Sequence, residues 1–189
     1  MATTIVPKTS TLPAQYQFLR EEPGPRILLE ALKTFGTKEQ LGSGNNPTIM
    51  QWAKKIGLAK VYKADSTAWC GLWMAYVAGQ AGWPNAPQGN ALWARNWATW
   101  GEKVPFGSAM LGDVLVFKRG SGGHVALYVG EDATHYHILG GNQDDQVSIR
   151  RRLKSQAIAI RRCDWRINQP ANVRKIRLLP TGVLSNKEH

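Results

Sequence analysis

Cys70 and His124 are the two residues whose types can together make a nucleophile and its base. A thiol becomes a good nucleophile only as a thiolate, and an imidazole held beside it can take its proton. Cys70 falls inside residues 65–82, DSTAWCGLWMAYVAGQAG, near the start of what reads as a helix. Unpaired backbone N–H groups and the positive end of the helix dipole favour negative charge at such a start. His124 follows Ser121-Gly122-Gly123 and opens a strand-like run, where the glycines should leave its imidazole accessible. The other histidines are less well placed. His135 and His137 are two residues apart on one strand-like run and so share a face, and His189 is terminal. A base of this kind usually has an orienting partner. If the runs around His124 and His137 form a hairpin turning near 130–132, His124 pairs near Gly140. Asn142 then comes within reach of the imidazole, with His137 as the alternative.

The elements that must position these residues can be read from the pattern. Asp65, Ser66 and Thr67 are N-cap types. Trp69, Leu72, Trp73, Tyr76, Val77 and Gln80 recur at helical spacing, and Gly79, Gly82 and Pro84 are stop signals. Earlier, RILLEALKTF (26–35) reads as an amphipathic helix ended by Gly36. Asn46 caps a second helix with Pro47 at its first position and Gly57 at its end. Asn90 can cap NALWARNWATWG, with Trp93, Trp97 and Trp100 on one side; some of these indoles can line a groove for sugar or peptide. The character then changes. Residues 114–117, 124–129, 134–139, 147–151 and 157–161 are short β-branched and apolar runs separated by Gly, Asp and Asn, and 173–179 is a further strand or edge. Helices first and strands later predict an α+β domain with helices packed on a mostly antiparallel sheet.

The bulk composition narrows the function classes. The chain has 189 residues, 43% hydrophobic and 20% charged, which suits one globular domain, taken as 21–189, behind an N-terminal arm over 1–20. Two cysteines, Cys70 and Cys163, and the lack of CxxC or HExxH patterns argue against a disulfide framework or a zinc site, so neither metal nor organic cofactor is expected. Cys163, in RRCDW, reads as structural. The first residues do not form a secretory signal, and no run of about 18 apolar residues could span a membrane. Synthesis in the cytoplasm, with action elsewhere after release, is the expectation. The net charge of +11 is uneven: residues 1–149 carry 13 Lys/Arg against 11 Asp/Glu, and residues 150–189 carry 11 against 2. Such a basic segment favours polyanions such as an anionic envelope. Nothing resembles a nucleic-acid recognition helix or stacking platform, so no specific nucleic-acid partner is expected.

Several runs carry a resemblance: REEPGPRILLEALKTFGTKE, NNPTIMQWAKKIG, DSTAWCGLWMAYV, LGDVLVFKRGSGGHVALYVGED and YHILGGNQDDQVSI. In this order they resemble bacterial and phage cysteine hydrolases of the NlpC-like and CHAP type, closest to a phage-associated, endolysin-like branch, from about Pro13 to the end. The resemblance implies a papain-like core and hydrolysis of a stem-peptide amide of peptidoglycan, as endopeptidase or amidase. It implies Cys70 as nucleophile and His124 as base, with no cofactor and bacterial peptidoglycan as partner. The CHAP pattern tends to have an acid two residues before its Asn, and here that place is Gly140. The NlpC-like pattern often has a histidine earlier in the strand, which points to His137. Asn142 is the expected third member and His137 the alternative, with Asp65, Trp69 and Gln143 expected at the substrate. A monomer is the expected state. The competing reading is a catalytically silent wall-binding or phage-tail module.

Overall fold

The computed structural model describes residues 11–83, 87, 90–165 and 168–184. Its elements follow the predicted change of character: three α-helices, α1 (Arg26–Leu32), α2 (Pro47–Lys55) and α3 (Cys70–Gln80), precede most of a six-stranded sheet. The strands are β1 (Glu102–Val104), β2 (Val114–Arg119), β3 (Gly122–Glu131), β4 (His135–Gly140), β5 (Ser148–Leu153) and β6 (Ala157–Arg162). The sheet is antiparallel throughout in the order β1-β6-β2-β3-β4-β5, so the domain is α+β as expected. β2 through β5 form a meander. The last strand, β6, crosses back to the β2 edge and takes the short strand β1 on its outer side. β1 was not legible in sequence; it has three residues, two of them exposed. The 173–179 run forms no strand, though one stretch holds to β3: Glu131 N–H donates to the Ile176 carbonyl and Leu178 N–H to the Glu131 carbonyl.

The predicted caps explain where the first helices begin and end. Asn46 Oδ1 accepts from Thr48 N–H at 2.8 Å with Pro47 at the first helical position. Gly36 and Gly57 take positive φ after α1 and α2, where L-residues with a Cβ are strained. The stretch 90–99 departs from expectation. It folds as an extended residue, Trp93, followed by a short 3-10 helix, Ala94–Thr99. In a 3-10 turn residues three apart eclipse. Trp97 and Trp100 therefore pack together at 5.4 Å between ring centroids, while Trp93 stands outside that row.

α3 is buried on nearly every side rather than along one stripe: Cys70 through Ala75, Val77 and Ala78 are all buried. A helix that is apolar all round belongs in a core. α3 packs on α1, α2, β3 and β4. Trp73 Nε1 donates to Thr34 Oγ1 at 2.8 Å, which satisfies the polar atom that the buried indole carries. Each such aliphatic side chain taken fully out of water contributes about 1.5–3 kcal/mol, so Leu72 and Val77 anchor the helix that carries Cys70.

The N-terminal arm is not loose where it is described. A 3-10 helix, Ala14–Arg20, buries Tyr16 and Leu19, and Leu12 is buried ahead of it. The residues before position 11 lie outside the described ones. The sheet also curls. The Arg152 guanidinium carbon of β5 lies 5.2 Å from the Phe117 ring of β2, although β3 and β4 run between them, and the Tyr136 ring sits between Phe117 and Tyr128. Flat strands three places apart would be separated by about 14 Å. Among the described residues, no helix is long and apolar enough to cross a membrane.

Candidate active site

Cys70 is the first residue of α3. The predicted N-cap is displaced: Trp69 occupies that position and no side chain caps the helix. Asp65 is engaged elsewhere. Its Oδ2 accepts from Gln40 N–H at 2.9 Å and Asn46 N–H at 2.7 Å, and its own N–H donates to Asn45 Oδ1. It ties the 40–46 loop and the start of α2 to the chain entering α3. Asp65, expected at the substrate, is 1% exposed, with its carboxylate taken up by these backbone contacts. Trp69, also expected at the substrate, is placed likewise. It is fully buried, and its Nε1 donates to Glu39 Oε2.

His124 lies on β3, opposite Phe117 of β2. The sequence suggested that Gly122 and Gly123 keep its ring accessible, but His124 is only 1% exposed. Gly123 serves a different purpose. A Cβ there would come 2.9 Å from Arg95 Cγ and 3.6 Å from Ala94 Cβ, so the glycine admits the 94–95 segment against the strand. Gly71 does the same next to Cys70: a Cβ there would come 2.5 Å from the carbonyl oxygens of Ala91 and Leu92.

The turn after β4 joins the two elements. A Cβ on Gly141 would come 2.6 Å from Trp73 Cβ and 2.8 Å from the Trp69 ring, so the Gly141 backbone lies against the first turn of α3. A Cβ on Gly140 would come 3.2 Å from His124 Nε2. Two adjacent glycines thus connect the helix start that holds Cys70 to the ring of His124. The glycines of WCG, GGH and GGN mark places where backbone or side chain approaches closely, and that is the signal the sequence offered for this junction.

Gln143, not Asn142, is the hydrogen-bond partner of the imidazole. Gln143 Oε1 lies 3.2 Å from His124 Nε2, and Gln143 is fully buried. Its amide nitrogen donates to the Ser148 carbonyl at 2.5 Å and, at longer range, to those of Gly140 and Ile138. Three carbonyls on one side require the NH2 there and turn the amide oxygen toward His124. This orientation assigns the proton of the neutral imidazole to Nε2. The carboxamide carbon of Gln143 lies 3.2 Å from where a Cβ of residue 140 would be, so the glycine there leaves room for it. Asn142 is the residue expected to orient the base and Gln143 one expected at the substrate; of the two it is Gln143 that hydrogen-bonds the imidazole. Asn142 is buried with φ +56°, and its Oδ1 has no hydrogen-bond partner.

His137 is excluded as orienter by the pleat. Tyr128 pairs with Ile138, so His124, Ala126, Tyr128 and Ile138 share one face and His137 lies on the other. Its ring is already committed there. Nε2 donates to Asp132 Oδ2 at 3.0 Å, and Nδ1 accepts from the Tyr16 hydroxyl at 2.8 Å. Arg151 completes the group at 2.7 Å from Asp132. Burial holds His137 below the ordinary imidazole range, against the pull of Asp132. Asp132 is held well below the usual carboxylate range: burial acts against this, and hydrogen bonds from Thr134 and His135 N–H, His137 and Arg151 outweigh it.

Part of the basic segment is engaged in ion pairs. Arg150 pairs with Asp144, Arg151 with Asp132, Lys154 and Arg177 with Glu131, Arg162 with Asp113, and Arg174 with Glu22. The acids come from 1–149, so folding brings the two halves of the charge asymmetry together. Cys163 is buried, and burial pushes its thiol up to about 12. A groove of about 640 Å³, lined by Lys55, Ile56, Leu58, Ala75 and Gly79 among others, adjoins this region at Ala91 and includes neither Cys70 nor His124. Among the described residues, no group of three or more His, Cys, Asp or Glu side chains could hold a metal ion. No known family model matches the chain, and no curated protein matches it.

Proposed function

We propose that this protein is a cysteine hydrolase of peptidoglycan that cleaves a stem-peptide amide, with a papain-like arrangement of a cysteine-bearing helix against a histidine-bearing strand. The observation that carries the reading is the junction at Gly140-Gly141. Gly141 lies against Trp69 and Trp73 at the start of α3, its neighbour Gly140 lies near the imidazole, and Gln143 hydrogen-bonds that imidazole at Nε2. Nδ1 is then the nitrogen that takes the Cys70 proton. The thiolate sits at the first residue of a helix, where the dipole favours it.

The chemistry is acyl transfer. Cys70 Sγ attacks the amide carbonyl carbon, and the oxyanion is stabilised by the Cys70 backbone N–H and a second donor. The C–N bond breaks as the imidazolium returns its proton to the departing amine. His124 then takes a proton from water, which attacks the thioester; the acid product leaves and the thiol is restored. Gln143 is a positioning residue in this scheme. Its neutral amide orients the ring as the amide does in Cys-His-Asn sites.

The phage-lysin setting rests on the sequence resemblance, and attraction to an anionic envelope rests on the overall charge of +11. Because Arg151 belongs to a buried ion group, neutralising Arg150, Arg151 and Arg152 together would test folding as much as binding. The decisive experiment is digestion of purified sacculi with mass spectrometry of the released fragments. New termini at a stem-peptide amide, lost in Cys70→Ala with an unchanged thermal midpoint, are the expected result. Equal release by that variant refutes the proposal.

A further inference from the structure

Trp93 is the only tryptophan among the described residues that is more than half exposed, at 55%. Its place in the fold is specific. The carbonyls of Ala91 and Leu92 lie on Gly71, the residue after Cys70, and Ala94 and Arg95 lie on Gly123, the residue before His124. Trp93 stands between these two contacts, so the chain bridges both candidate reactive residues with this indole at the middle of the bridge.

The bridge is firmly held. Asn90 Oδ1 accepts from Leu92 N–H at 2.9 Å, and Asn96 Nδ2 donates to the Asn90 carbonyl at 2.9 Å. Trp97 Nε1 donates to the Ala91 carbonyl at 3.0 Å. Arg95 reaches the β2–β3 turn through Nε to the Gly122 carbonyl at 2.6 Å and Nη2 to the Gly120 carbonyl at 3.0 Å. A large apolar ring presented on an immobilised backbone costs little further ordering when it binds, which is how indoles contribute strongly to recognition. The same segment buries Trp97 completely and Trp100 nearly so, so packing was open to an indole here and Trp93 is left out of it.

We infer that Trp93 is a substrate-positioning residue, set on the segment that adjoins Cys70 and His124, that takes the C–H face of the group flanking the scissile amide. The inference rests on the hydrolase reading above. Two groups in a peptidoglycan substrate offer that chemistry, a sugar ring and an aliphatic side chain of the stem peptide.

The test uses the full chain. In a Cys70→Ala background, sedimentation with purified sacculi should show apparent affinity about tenfold weaker after Trp93→Ala, with Trp93→Phe recovering part of it. Phe106→Ala, at an equally exposed aromatic away from the bridge (62%), should bind as the parent. With Cys70 intact, Trp93→Ala should raise KM about tenfold and leave kcat within about twofold, the pattern of lost uniform binding. A rise on sacculi but not on sugar-free stem peptides assigns the contact to the glycan, and an equal rise on both assigns it to the peptide. Normal cleavage with unchanged KM and binding in Trp93→Ala overturns this inference alone. A wild-type protein that neither binds nor cuts sacculi overturns the hydrolase reading and this inference with it.

Discussion

Gln143 Oε1 stands 3.2 Å from His124 Nε2, and the other end of the same carboxamide faces three backbone carbonyls. One side chain therefore both fixes the tautomer of the imidazole and closes the turn after β4. Truncation to Ala should lower kcat about 10–100-fold with KM little changed, as loss of a residue that orients a functional imidazole does elsewhere. It should also cost about 1–3 kcal/mol for the carbonyls left unpaired. Gln143→Glu is the sharper test. A carboxylate is the commoner orienter of a base, but here it would turn an acceptor toward the Ser148, Gly140 and Ile138 carbonyls. Thermal melts should show a larger loss of stability relative to wild type for Gln143→Glu at pH 8 than at pH 5, where the added carboxyl can be protonated and donate. A variant at least as stable as wild type at pH 8 would contradict this account of the turn.

Gly71 and Gly141 set how closely the α3 start approaches its neighbours. A Cβ at either position meets atoms at 2.5–2.6 Å, and at Gly71 those atoms are backbone. Overpacking of this kind costs about 1–3 kcal/mol. Gly71→Ala and Gly141→Ala should each lower the denaturation midpoint and reduce kcat further than the stability loss explains, since α3 must shift away from the 91–92 segment or from the turn that holds Gln143. Gly79→Ala, on the same helix and meeting nothing within 4 Å, should be neutral or stabilising in chemical denaturation.

The two thiols should differ sharply. Both are buried, but burial raises the Cys163 thiol to about 12 with Asp113 in its field. Cys70 sits at a helix start in the candidate site. Iodoacetamide at pH 7 should add one carbamidomethyl group per native chain, at Cys70 by peptide mapping, and two after denaturation. Labelling of Cys163 first would remove the basis for treating it as structural.

How far the sequence could be read follows from which signals are local. Cys70 at a helix start and His124 at a strand start were legible because apolar periodicity and glycine punctuation are local patterns. The orienting residue was not. Asn142, Asp144 and Asp145 all take positive φ, so the turn after β4 abandons the strand alternation from which the position of Asn142 was extrapolated. Gln143 reaches the ring because Gly140 leaves room for it, a relation that only appears once both are placed. The ion pairs of the basic segment were not legible for a similar reason: charge counted along the chain does not show that Asp113, Asp132 and Glu131 come back to pair with part of it. Trp93 was grouped with Trp97 and Trp100 by α-helical spacing, and the 3-10 geometry separated them.

Arg151 and Arg150 are adjacent in sequence but should respond differently to removal. Arg151 pairs with an almost fully buried Asp132, whereas the Asp144 side chain that pairs with Arg150 is 36% exposed. Leaving a buried carboxylate uncompensated costs about 3 kcal/mol, and an exposed pair contributes about 0–1 kcal/mol. Arg151→Gln should therefore destabilise strongly in urea while Arg150→Gln barely registers. Similar costs for both would mean that the buried group at Asp132 does not hold the domain together.

The same group predicts how stability depends on pH. His137 has a folded pKa below its unfolded value, so near and below about pH 6.5 the unfolded chain binds more protons there than the native one. Stability is then complete above that pH and falls as pH drops. Asp132 is also depressed, and its contribution is lost at lower pH, from about 4 downward, as the unfolded carboxyl begins to bind protons that the folded one refuses. Both act in the same direction, so the thermal midpoint should be flat from pH 8 to 7, decline between 6.5 and 5, and drop again below 4. His137→Gln should remove the first decline and keep the second, at some cost at pH 8 because Tyr16 and Asp132 lose a buried partner. If His137→Gln retains the decline between pH 6.5 and 5, the titrating group lies elsewhere. The docking of the N-terminal segment through Tyr16 would then owe nothing to the charge state of this imidazole.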